Sequence, residues 1–107
     1  MDPFSHHLKD QGKALIVKID LTKFDVGVSK EFQQYMDIVW DDSMKSITLD
    51  VSSVTFIDSS GVGALLSVHK LAGDSCQIIL SGVKPPVREV IELLRLQRVF
   101  TLQSPNA

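Results

Sequence analysis

Residues 46–73 read SITLDVSSVTFIDSSGVGALLSVHKLAG, and the order of patterns within them sets the fold class. Ile47, Leu49 and Val51 alternate with Thr48 and Asp50, the period-two signature of a strand over 46–51. A second extended stretch, 54–57, feeds a helix that begins near Ser59 and stops at Gly73, the residue that most readily ends a helix. Val62, Leu65, Leu66 and His69 form its stripe. Moving towards the C-terminus, 77–80 reads as a strand that Ser81-Gly82 breaks. Pro85 and Pro86 suit the first turn of another helix, where a missing N–H costs little. Val87, Val90, Ile91 and Leu94 line that helix, and 99–102 closes as a strand before a polar tail. Moving towards the N-terminus, Val28, Phe32, Tyr35, Met36 and Val39 lie on one face of a helix over 26–40, with Asp25 or Ser29 as its cap. Before it, an edge strand at 5–9 and a strand at 14–19 flank the turn signal Asp10-Gln11-Gly12 and make a hairpin. Strands and helices therefore alternate. The expected fold is α/β: a mostly parallel mixed sheet of about five strands, right-handed crossovers and three main helices.

A chain of 107 residues is the length of one domain, expected to span 1–107. Eleven Lys and Arg against thirteen Asp and Glu leave a net charge of −2, without the basic excess of a nucleic-acid binder. Apolar runs stay far below the roughly 20 residues that cross a bilayer, and no signal-peptide pattern opens the chain, so no membrane insertion and a cytoplasmic location are expected. The one cysteine, Cys76, cannot form an internal disulfide or a multi-cysteine metal site.

The chemistry candidates narrow quickly. Gly61-Val62-Gly63 fails as a dinucleotide fingerprint, because the third glycine position falls on Leu66 and the pair follows the helix start. Gly12-Lys13 has no upstream glycine at phosphate-loop spacing, and Ala14 stands where Ser or Thr is needed. His69 lies about 15 Å along the helix from Ser59, too far to serve as its base. His6 and His7 point to opposite faces of a strand and cannot chelate one metal. Neither a catalytic group nor a cofactor nor a metal site is expected. Two glycines in a first helical turn cost up to about 1 kcal/mol each relative to Ala, which points to a close approach to that backbone, from a partner or from the sheet. Asp58-Ser59-Ser60-Gly61 then reads in two ways. One is an N-terminal cap; the other is a phosphorylation site, since free N–H groups and the positive dipole end tolerate a dianion.

The stretch 49–63, LDVSSVTFIDSSGVG, resembles the signature of STAS domains, the fold of sulfate transporters and anti-sigma factor antagonists. The likeness continues through Ile79-Leu80, Val87-Arg88 and 96–100, almost the whole chain. A small domain of this kind is similar to bacterial anti-sigma factor antagonists. The resemblance implies a non-enzymatic partner switch: the unphosphorylated form binds and sequesters an anti-sigma factor serine kinase, phosphorylation releases it, and a serine phosphatase resets it. ATP and Mg²⁺ would belong to the kinase. By position the phosphoacceptor is Ser59, followed by Ser60 and Gly61, with Asp58 before it and Asp25 nearby as further partner-binding residues. Thr22 and Lys23 stand where the family usually has glycine and an acidic residue, and the helix that ends many members is expected to be absent. An alternative within the family is an interaction subunit of a lipid-transport ABC complex.

Overall fold

Strands β1 (Phe4–Lys9) and β2 (Ala14–Ile19) form the expected antiparallel hairpin in a computed structural model that describes residues 3–105. Asp10, Gln11 and Gly12 turn it, all with positive φ (53°, 59° and 85°). The short segment β3 (Lys23–Phe24) and helix α1 (Ser29–Val39) follow, then β4 (Ser46–Asp50), β5 (Phe56–Ile57) and α2 (Ser59–Ala72). The chain continues through β6 (Gln77–Ser81), α3 (Pro85–Leu93), a 3₁₀ turn at Leu96–Arg98 and β7 (Thr101–Leu102). The main sheet has the order β1-β2-β4-β6-β7, with only β1 antiparallel to its neighbour. Because strand order advances in one direction from β2 to β7, right-handed crossovers place the helices on one face.

Strand alternation makes that face the core. Leu15, Ile47 and Ile78 form one row across three strands, and Val17, Leu49 and Leu80 the next, all buried. Ile16, Thr48 and Ile79 form the intervening row on the opposite face and are half-buried. α1 closes the β1 side with buried Phe32 and Met36. Phe32 meets Phe4 and Phe24 edge-on, with ring centres 5.5 and 5.1 Å apart, the geometry that aromatic quadrupoles favour. Pro85 begins α3 as expected, and Val87 and Ile91 face inwards.

Several sequence expectations shift. α1 begins at Ser29, three residues later than expected, and neither Asp25 nor Ser29 caps it. The Asp25 side chain accepts instead from Gly27 N–H at 3.0 Å, and its carbonyl accepts from Val28 and Ser29 N–H, so a turn precedes the helix. In α2, Leu66 is 37% exposed, whereas Ala64 and Val68 join Val62 and Leu65 in the core. His69 is half-buried, with Nε2 3.6 Å from the Asp74 carboxylate. Leu94 falls just after α3 as its C-cap and is exposed, and the last strand shortens to two residues because Val99 and Phe100 complete the 3₁₀ turn through N–H bonds to the Leu96 carbonyl.

Cys76 is a buried free thiol, and desolvation raises its pKa above the usual thiol value. It should react slowly with Ellman's reagent in the native protein and at the rate of a free thiol in denaturant. Equal rates in the two states would contradict this placement.

Candidate functional site

The site is built where β5 ends and α2 begins. β5 is too short to stand alone, and it pairs in parallel with β3 as a separate two-stranded sheet, Lys23 opposite Phe56 and Phe24 opposite Ile57. The Thr22 carbonyl extends this ladder, accepting from Thr55 N–H (2.8 Å) and Phe56 N–H (3.1 Å). The expected extended stretch at 54–57 is therefore a strand only at Phe56–Ile57, and its partner lies more than 30 residues earlier.

Asp58 follows as the N-cap of α2, with φ −108° and ψ −174°. Its Oδ1 accepts from Gly61 N–H at 2.9 Å and its Oδ2 from Val26 N–H at 3.2 Å. One carboxylate thus caps the helix and ties it to the turn containing Asp25. Asp58→Ala should cost about 1–3 kcal/mol, since it removes the cap and leaves two N–H groups without their acceptor. Asp58→Asn retains an acceptor oxygen and should cost less. Urea denaturation of both variants checks the order, and an Asp58→Ala variant as stable as the parent would refute the role.

Ser59 is the first residue of α2 and is exposed; Ser60 is half-buried. The Ser59 hydroxyl has no hydrogen-bond partner among the described residues. Val62 N–H bonds the Asp58 carbonyl and Gly61 N–H its side chain, which leaves the Ser59 and Ser60 N–H groups open at the positive end of the helix dipole. Two carboxylates, Asp25 and Asp58, stand on either side of the Val26 link.

The two glycines of the first turns have different reasons. A Cβ on Gly61 would overlap the Phe24 carbonyl oxygen and lie 2.8 Å from Ile57 Cγ1, so close packing against the β3–β5 pair explains it. A Cβ on Gly63 would meet nothing within 4 Å. Asp25, Asp58, Ser59, Ser60 and Gly61 are thus brought together, with Gly61 buried beneath the others. Sequence reasoning missed the apolar rim. Val26 is 71% exposed and Phe56 49%, and Gly63 and Leu66 follow Ser59 on one side of α2. The signal available was the outward position of Phe56, next to buried Ile57.

The surface here has no ligand cavity among the described residues, and no three His, Cys, Asp or Glu side chains among them could hold a metal ion. No helix among them is long and apolar enough to cross a membrane. What the arrangement offers is an exposed serine hydroxyl at a helix end anchored through Asp58.

The STAS domain family model matches residues 7–105. A STAS-domain containing protein of Pseudomonas aeruginosa is 27% identical over 92 residues, covering 85% of this chain and 89% of its own. An anti-sigma factor antagonist from Mycobacterium paratuberculosis superposes with a TM-score of 0.76 at 22% identity, over 94% of this chain and 85% of that one. The Bacillus cell fate determinant SpoIIAA in its phosphorylated form superposes with a TM-score of 0.65 at 18% identity, over 96% and 93% of the two chains. At these identities the likeness to the solved structures establishes the fold.

Proposed function

The chain belongs to the STAS domain family, and from that premise we propose that it is a partner-switching regulator with no catalytic activity of its own. In this reading the unphosphorylated protein binds and sequesters an anti-sigma factor serine kinase in the cytoplasm. The kinase transfers the γ-phosphoryl group of its own Mg²⁺-bound ATP to Ser59 Oγ, its general base takes the hydroxyl proton, and ADP leaves. A serine phosphatase later hydrolyses the ester. The observation that carries the proposal is the Ser59 hydroxyl: exposed, free of internal hydrogen bonds among the described residues, and fixed in place by the Asp58 clamp.

The anti-sigma factor antagonist of similar fold and the phosphorylated form of SpoIIAA support the reading. The apolar rim of Val26, Phe56 and Leu66 supplies contact area that a phosphoacceptor alone lacks. Incubation with the cognate serine kinase, found by affinity pull-down and mass spectrometry, followed by phosphosite mapping tests the assignment. Phosphate is expected on Ser59, and phosphate on Ser60 alone would overturn it.

A further inference from the structure

Ile38 on α1 and Leu93 on α3 are each 82% exposed. They lie on opposite flanks of the helical layer. α1 borders the β1 edge, where Phe4 meets Phe32 and His6 bonds Tyr35 at 2.6 Å. α3 borders the β7 edge, where an Arg88 nitrogen donates to Ser104 Oγ at 3.2 Å. Crossover helices run opposite to the parallel strands they connect, so the C-terminal ends of α1 and α3 sit at the end of the sheet away from Ser59.

The same two flanks differ in charge. Asp37, Asp41 and Asp42 surround Ile38 in the sequence, are exposed, and make no ion pair among the described residues; the exposed cation that follows them is Lys45. At the other flank Leu93 and half-exposed Leu94 are followed by Arg95 and Arg98, both exposed and also without an ion pair among those residues. Glu92 is engaged by Arg88 at 3.7 Å, and Glu89 is exposed without an ion pair among those residues. Arg95 has φ 58° and ψ 32°, left-handed backbone just after a helix end where glycine is the usual residue. Its side chain makes no hydrogen bond among the described residues that would offset that conformation.

We propose that a second copy of this chain docks here, the acidic Ile38 flank of one molecule against the basic Leu93–Leu94 flank of the next. The observation behind it is the pairing of two apolar anchors with rims of opposite charge on one chain. Because the two patches are different and face apart, the contact is head-to-tail and does not close as a two-fold dimer; it propagates into open-ended oligomers. The Ser59 end remains free in every copy, so the inference goes beyond the partner-switch reading and stands or falls without it.

Sedimentation velocity tests it on the chain alone, up to about 1 mM protein, in about 20 mM and about 1 M salt. Concentration-dependent association is expected at low salt and its loss at high salt, where the Debye length shrinks to about 3 Å. Arg95→Asp with Arg98→Glu should weaken association at least about tenfold, as should Asp37→Lys with Asp42→Lys. A 1:1 mixture of these two double variants restores opposite charges at each junction and should associate again. All four positions are exposed, and Asp tolerates left-handed backbone, so melting temperatures should stay near the parent's. A parent chain that is monomeric at low salt, double variants that associate as well as the parent, or a mixture that stays monomeric would each overturn the proposal.

Discussion

Phosphorylation of Ser59 is expected to weaken binding to the serine kinase more than a hundredfold while leaving the melting temperature nearly unchanged. The two effects separate because the charge has different surroundings in each state. In the free domain the phosphate stands in water at the start of α2, beside the open N–H groups of Ser59 and Ser60. The dipole end stabilises it by about 0.3–1 kcal/mol. Asp58, the residue directly before it, lies within a Debye length of about 8 Å and offsets part of that gain. Asp58 stays engaged in two N–H bonds, so the helix cap survives. In the complex about two negative charges must leave water against a surface that fitted a neutral hydroxyl. Several kcal/mol of uncompensated desolvation corresponds to more than two orders of magnitude in affinity. Calorimetric titration and thermal unfolding of both forms measure the two quantities. Unchanged affinity, or a large fall in melting temperature, would show that release is not a local effect at the interface.

Gly61→Ala should destabilise the domain by about 2–3 kcal/mol, whereas Gly63→Ala two residues later should stabilise it by up to about 1 kcal/mol. The added methyl at 61 would run into backbone, the Phe24 carbonyl, which can retreat only by breaking the β3–β5 pairing that positions Asp58. At 63 the methyl enters open space on a helix, where alanine removes unfolded-state entropy without a steric penalty. For a domain near 100 residues the two variants should move the melting temperature in opposite directions, by about 4–8 °C per kcal/mol. Equal shifts would mean that the contact at Phe24 does not distinguish the glycines. The same geometry makes Gly61→Val unsuitable for probing a partner's approach, since the fold fails first.

Element order was legible because it is written in short-range patterns. The alternation of Ile47 and Leu49, the Gly73 stop and the Pro85-Pro86 start each depend on a few neighbouring residues. The stripe of α2 was misjudged at one edge because apolar side chains flank it on both sides. Side-chain size favours Leu66, but it is 37% exposed, whereas the smaller Ala64 and Val68 are fully buried. Asp25 carries the residue type of a cap, yet its carboxylate is used by Gly27 one turn too early.

By itself the sequence determined an α/β chain, the junction at Asp58–Ser59 and the serine that opens a helix, all of them properties of local periodicity and capping. Tertiary structure alone decided why that junction is rigid. Val26 N–H meets Asp58 across 32 residues, Phe56–Ile57 finds Lys23–Phe24, and the Phe24 carbonyl occupies the space a side chain on Gly61 would need. Pairings at such separation follow from how the whole chain closes around its core, and no window of neighbouring residues encodes them.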